Sequence, residues 1–175
     1  MRKIITVGLV TLSLWLGQPA FAETGNDTAK ATITAPSMTR STYQDWQSLC
    51  VQQDAETLCD ISQTLQVERE NGQTVTGLRA TVTKRDGFFV MELALPLGLD
   101  HTSGMVLQLD NAEDIKLPFA TCIDQGCAVL ADIDAALLAR LQRGRVMKAA
   151  FRPFGQEQAV VIEVSLLGYQ RNGRT

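Results

Sequence analysis

The sequence contains a single histidine, His101, and none of its four cysteines form a C-x-x-C pair. Zinc sites need several thiolate or imidazole ligands, and a serine or cysteine nucleophile usually needs a histidine base. The chain also lacks G-x-S-x-G, P-loop and G-x-G-x-x-G patterns. The single histidine and the lack of these motifs predict a protein that is not an enzyme and carries no metal or cofactor. A hydrolase that uses His101 is the enzymatic alternative.

Long apolar runs are absent except at the N-terminus. Residues 1–22 combine the basic Arg2 and Lys3, an apolar stretch over 4–16, and a small-x-small pattern at Ala20-Phe21-Ala22, which is typical of a signal peptide. An uncleaved anchor is the alternative, but the stretch is shorter than the roughly 20 residues of a spanning helix. We therefore expect cleavage after Ala22, export to the periplasm or outer envelope, and no spanning segment in the mature chain.

Basic residues are fewer than acidic residues in this sequence. The 16 basic and 19 acidic residues of the whole chain become 14 and 19, a net charge of −5, once the segment with Arg2 and Lys3 is removed. Binding to nucleic acid or to an anionic membrane by charge needs clustered lysine and arginine. The composition therefore predicts no nucleic-acid partner.

All four cysteines lie beyond the predicted cleavage point, at Cys50, Cys59, Cys122 and Cys127. An even number of cysteines in an oxidising compartment indicates two disulfides. Three pairings are possible. Cys50–Cys59 and Cys122–Cys127 are favoured, because each pair is close in sequence and lies beside a predicted hairpin. In the loop-entropy model each short loop contributes about 2–3 kcal/mol.

The mature chain is predicted to hold one domain between two polar segments. Residues 23–42 are rich in Thr, Ala and Ser and poor in large apolar side chains, which predicts a flexible N-terminal segment. A domain over 43–170 and a polar tail over 171–175 follow. The 153 residues left after cleavage fit one domain with a sizeable core.

Short apolar runs separated by Pro, Gly and Asp or Asn predict about nine strands in that domain. The run Phe88–Leu95 is almost continuously apolar, which predicts a central strand covered on both faces. The spacing of apolar residues changes once, at 135–143, from the period of a strand to that of a helix. A short helix capped by Asp132 or Asp134 and ended by Gly144 is expected there. The pattern predicts an all-β fold, with two antiparallel sheets packed face to face.

Loops at the ends of such a sandwich are its natural binding surfaces, together with its sheet edges. Two loops are the candidates, Pro96–Ser103 and Pro153–Glu157. The candidate contact residues within them are Pro96, Leu97, His101, Pro153 and Phe154. An exposed loop histidine could also respond to pH or contact a ligand.

Motifs along nearly the whole mature chain, from about Tyr43 to Tyr169, resemble a known family. They are Asp45-Trp46 with Cys50 and Cys59; Leu95-Pro96-Leu97-Gly98-Leu99; Gly104 with Leu107-Gln108-Leu109-Asp110; Leu117-Pro118-Phe119; Cys122 and Gly126-Cys127; the Leu137-Leu138 helix with Gly144; and Ser165-Leu166-Leu167-Gly168-Tyr169. In this order and spacing they resemble the invasion-associated locus B family of bacterial exported proteins. The resemblance implies an immunoglobulin-like β-sandwich in the periplasm or outer envelope. In pathogenic members it implies a part in entry into host cells, including red cells, and it supplies no catalytic residues.

Two functions are consistent with these observations. The first is a non-enzymatic envelope protein that binds a protein or glycan partner, in the envelope or on a host cell, and serves as a binding or accessory factor in invasion. The alternative is a periplasmic assembly or stress factor that supports envelope integrity.

Overall fold

The computed structural model describes residues 37–69 and 71–169, and within them the chain forms eleven strands and one helix. The predicted signal peptide at 1–22 and polar tail at 171–175 lie outside this range. The elements are β1 (Met38–Tyr43), β2 (Trp46–Gln53), β3 (Glu56–Glu68), β4 (Thr74–Arg85), β5 (Phe88–Leu95), β6 (Met105–Leu109), β7 (Ile115–Leu117), β8 (Thr121–Ile123), β9 (Gly126–Ile133), α1 (Ala135–Arg143), β10 (Val146–Phe151) and β11 (Val160–Ser165).

The strands form two antiparallel sheets. The first has seven strands in the order β1-β2-β3-β4-β5-β9-β8, and the second has four in the order β11-β10-β6-β7. Buried side chains from both sheets and from α1 belong to one hydrophobic core. The predicted antiparallel β-sandwich with one short helix and two disulfides is confirmed.

The core follows the two-residue period of the strands. In β4, Leu78, Ala80 and Val82 are buried, because alternate side chains point to the same face of a sheet. The prediction that β5 is covered on both faces is wrong. The face of β5 that carries Met91, Leu93 and Leu95 is buried, whereas Glu92 on the opposite face is exposed. The second sheet packs on one face of the first, so on the outer face of β5 Val90 and Ala94 are half-buried and Phe88 is exposed.

The prediction that residues 23–42 form a flexible segment is wrong for 38–42. These residues belong to β1, which pairs with β2 from Met38 opposite Val51 to Tyr43 opposite Trp46. The predicted count of nine strands also missed β8. Both β1 and β8 lie at the edges of the seven-stranded sheet, and most of their side chains are exposed. Such strands need no apolar alternation, which is why the sequence pattern did not indicate them.

The helix agrees with its sequence signals. Asp134, rather than Asp132, is the N-cap, and its Oδ1 accepts a hydrogen bond of 2.7 Å from the Leu137 amide. At the other end the Gly144 amide donates to the Arg140 carbonyl oxygen at 2.7 Å. Leu141 is wholly buried, so the leucine face docks the short helix onto the core.

Both disulfides join residues that lie directly opposite each other on paired strands. Cys50–Cys59 links β2 to β3, and Cys122–Cys127 links β8 to β9. The pairing is the one that the spacing of the cysteines favours. Each bond therefore holds the register of one hairpin in the large sheet.

Candidate partner-binding site

The two loops singled out in the sequence lie side by side at one end of the sandwich. Leu99 and Pro153 form an isolated antiparallel bridge. The Phe154 amide donates to the Gly98 carbonyl oxygen at 2.8 Å, and the Asp100 amide donates to the Arg152 carbonyl oxygen at 2.8 Å. Backbone hydrogen bonds thus join two segments that are about fifty residues apart in sequence. We call residues 97–100 together with 152–154 the loop-pair surface.

An ion pair adds to this backbone link. The Arg152 guanidinium donates from Nε to Asp100 Oδ2 at 2.9 Å, and Nη2 contacts the same oxygen. Asp100 Oδ1 accepts from the Thr102 amide at 3.1 Å and from the Thr102 hydroxyl. The Thr102 hydroxyl first, and then the Arg152 guanidinium, lower the pKa of Asp100 to about 2. Asp100 is therefore ionised at neutral pH, and its ion pair with Arg152 stabilises the contact between the two loops.

The loop-pair surface presents two large apolar side chains to solvent. Phe154 is 78% exposed and Leu97 is 56% exposed. Single exposed apolar residues are common on protein surfaces, but here the backbone next to both is fixed by hydrogen bonds. A contact surface that is already ordered loses less conformational entropy when it binds. The arrangement suits an apolar protein contact.

The remaining candidate residues support this surface or lie beside it. Pro96 and Pro153 are half-buried, and His101 is exposed in the turn that follows Asp100. Thr102, which the sequence did not single out, orders that turn through Asp100. Neither the Arg152–Asp100 pair nor the joining of the loops could be read locally, because both depend on how β5, β6 and β10 are placed in the fold.

A groove of about 560 Å³ lies on strands of the large sheet, and it was not predicted from the sequence. Its lining includes Cys50, Cys59, Ile61, Val82 and Phe89 on β2 to β5, with Tyr43, Ser48, Glu56, Thr57, Leu58, Lys84, Asp86, Gly87 and Tyr169 around them. The Lys84 Nζ lies 5.6 Å from the centroid of the Phe89 ring, in reach of a cation–π contact. The alternation of Cys59 and Ile61 on β3 was the available signal, since it places the first disulfide on the core-facing side.

Within residues 37–69 and 71–169, no cluster of three or more His, Cys, Asp or Glu side chains is arranged to hold a metal ion. In the same part of the chain, no helix has the length and apolar character needed to cross a membrane.

Comparison with known proteins places these features in a family. The family model described as "Invasion associated locus B (IalB) protein" matches residues 46–171. Invasion protein B homologs from two strains of Brucella abortus, 2308 and biovar 1 strain 9-941, are each 30% identical over 132 residues, which are 74% of this chain and 74% of theirs. The crystal structure of invasion associated protein B from Bartonella henselae superposes with a TM-score of 0.63 at 23% identity, covering 76% of this chain and 90% of that one. That structure supports the sandwich fold.

Proposed function

Since this chain belongs to the invasion associated locus B family, we propose that it is an exported, non-enzymatic binding protein. Its loop-pair surface binds a protein partner, and the chain serves as an accessory factor in the invasion of host cells. The observation that carries this proposal is Phe154, a 78% exposed aromatic side chain on a loop whose backbone is hydrogen-bonded to a second loop. Aromatic side chains fixed in this way are common anchors of protein interfaces.

Export is supported by the disulfides and by the predicted signal peptide. The bonds Cys50–Cys59 and Cys122–Cys127 use all four cysteines of the chain. Structural disulfides persist in the periplasm and outside the cell, whereas the cytosol keeps thiols reduced. The role in invasion is supported by the relatives from Brucella abortus, which are named invasion protein B homologs.

A protein partner is favoured over a glycan by the chemistry of the exposed residues. Leu97 and Phe154 both offer apolar area and no hydrogen-bonding group. Glycan sites need several polar groups directed at the sugar hydroxyls. The charged side chains of this surface, Arg152 and Asp100, already form an ion pair with each other. Burying Leu97 and Phe154 against an apolar patch would stabilise a complex by about 1.5–3 kcal/mol per side chain.

The experiment is an affinity capture with the purified mature protein, from envelope extracts of the producing cell and, separately, from host-cell membranes. The test variant is the double substitution L97S/F154S. The matched control is Phe88→Ser, since Phe88 is 74% exposed but begins β5, at the opposite end of that strand from Leu97. We expect the wild type and F88S to retain a host-membrane protein that L97S/F154S loses.

Equal recovery by L97S/F154S would overturn the proposed surface. Capture from envelope extracts alone would overturn the role in invasion and favour support of the envelope. Loss of capture after the host membranes are treated with glycosidases, with the protein partner still present, would show a glycan contact instead.

A further inference from the structure

The groove on the large sheet lies at the opposite end of β5 from the loop-pair surface, and none of its lining residues belongs to that surface. Its floor is formed by side chains on the core-facing side of β2 to β5, among them Ser48, Ile61, Val82 and Phe89. Phe89 is only half-buried, because the small sheet does not extend over this part of the large one. The groove crosses four neighbouring strands, and three spacings between strands make it about 14 Å long.

Two buried hydroxyl groups line this groove without a strong partner in the protein. The Tyr169 ring packs against Trp46, but its hydroxyl makes no hydrogen bond to the described residues and is not enclosed by them. Ser48 Oγ lies 3.6 Å from Cys50 Sγ. Since this sulfur belongs to a disulfide, the Ser48 hydroxyl donates to it, and sulfur is a weak acceptor. Buried hydroxyls usually have a full partner, so both groups indicate a ligand that carries a hydrogen-bonding atom.

The rest of the floor is apolar and suits a hydrocarbon chain better than a peptide. It is formed by Ile61, Val82, Phe89 and the Cys50–Cys59 disulfide. The backbone groups beneath it are already used, because β2, β3, β4 and β5 each pair with a strand on both sides. A peptide lying across these strands would leave most of its own amide and carbonyl groups without partners, which is unfavourable. A hydrocarbon chain with one polar end has no such groups to satisfy.

We propose that this groove binds one acyl chain of an uncharged lipid ester. The hydrocarbon lies on Ile61, Val82 and Phe89, and the ester carbonyl oxygen accepts hydrogen bonds from the hydroxyls of Tyr169 and Ser48. Burial raises the pKa of Tyr169 to about 12, so its hydroxyl is protonated and able to donate at neutral pH. The volume of about 560 Å³ lies within the roughly 300–1,000 Å³ of small-molecule sites.

The charged groups at the rim favour an uncharged ester over a free fatty acid. Glu56 and Asp86 carry two negative charges, against one positive charge on Lys84. The ammonium group of Lys84 also lies over the Phe89 ring already. A carboxylate would be repelled by the excess negative charge and would lose water as it entered the groove.

The test is isothermal titration calorimetry of the purified mature protein with monoacylglycerols, below the concentrations at which they form micelles. The comparison probes are decanoate, glycerol, and an apolar peptide with both ends blocked. We expect one monodecanoylglycerol to bind per protein, decanoate and the peptide to bind more weakly, and glycerol not to bind. The affinity should rise about fourfold with each added CH₂ group, and it should stop rising once the chain is longer than the groove.

Two variants place the ligand in the groove. Phe89→Ala should weaken binding about tenfold, because it removes one apolar wall. Phe88→Ala is the matched control, since Phe88 lies on the opposite face of β5 and does not line the groove. Tyr169→Phe should weaken binding about two- to tenfold, the loss of one hydrogen bond. It keeps the ring in the core, so the proposal stays testable if F89A does not fold.

Four results would overturn the site. They are the absence of saturable binding of any monoacylglycerol, equal weakening by F88A and F89A, unchanged binding in Y169F, and binding of decanoate or the peptide as tight as that of the ester. None of them bears on the loop-pair surface, whose test uses other residues. The double variant L97S/F154S should bind monodecanoylglycerol as the wild type does.

Discussion

Trp46 Nε1 donates a hydrogen bond of 2.7 Å to the carbonyl oxygen of Ser165, which joins the two sheets of the sandwich. Trp46 begins β2 in the large sheet, and Ser165 ends β11 in the small one. Gln63 strengthens the same junction, because its Oε1 accepts from the Ser165 amide at 3.1 Å. The Trp46 ring also packs edge-to-face against Tyr169, with 5.3 Å between ring centroids. The indole is therefore a core residue and not a platform for stacking a ligand.

The substitution Trp46→Phe should lower the free energy of unfolding by about 1–3 kcal/mol, since it removes the donor to Ser165 and leaves space in the core. Denaturant unfolding of the mature protein measures the change. Phe154→Leu is the control, and its exposed position predicts a change within about 0.5 kcal/mol. Equal stability of W46F and F154L would contradict the role given to Trp46.

The substitution Gly126→Ala should be more damaging than Gly87→Ala. Both glycines have positive φ angles, +140° at Gly126 and +83° at Gly87. At Gly126 a Cβ would lie 2.2 Å from the Leu95 carbonyl oxygen, whereas at Gly87 it would meet nothing within 4 Å. We expect G87A to cost about 1 kcal/mol of conformational strain and G126A clearly more, measured by denaturant unfolding. Equal losses would show that the tight approach to β5 does not matter.

The link between the two loops should weaken in acid. The pKa of Asp100 is lowered to about 2 in the folded protein by its hydrogen bonds with Thr102 and Arg152. A lowered pKa contributes stability that is present above the unfolded-state pKa, about 4, and is lost as the pH falls to about 2. We expect the protection factor of the Phe154 amide, which is the unstructured exchange rate at the same pH divided by the observed rate, to fall across that window. In the variant Asp100→Asn this protection factor should already be low at neutral pH and should not change across the window.

Tyr169 should make the fold sensitive to alkali. Burial raises the pKa of its phenol to about 12. A raised pKa in the folded state means that its contribution is present below the unfolded-state pKa, about 10, and is lost as the pH rises to about 12. Unfolding measured across this range should show a fall in stability that is smaller in Tyr169→Phe. An identical fall in both proteins would assign the effect to other groups.

The sequence predicted those parts of the fold that local patterns determine. The helix was recognised by a cap at Asp132 or Asp134, of which Asp134 is the one used, and by its Gly144 end. The pairing of Cys50 with Cys59 was recognised by their short separation and the hairpin between them. The edge strand β1 was missed, because a strand exposed on most of its surface needs no apolar alternation.

The candidate site was predictable only as separate loops. Pro, Gly and polar residues indicated each loop on its own. The contact between Gly98 and Phe154 arises from the pairing of β10 with β6, which places both connections at one end of the small sheet.

Photo-crosslinking in living cells tests the loop-pair surface most directly. A photoreactive phenylalanine analogue is placed at Phe154 in one protein and at Phe88 in another, because both side chains are highly exposed. We predict a discrete protein adduct from position 154 that disappears when Leu97→Ser is added, and no such adduct from position 88. The absence of an adduct at 154, or the same adducts from both positions, would contradict the account.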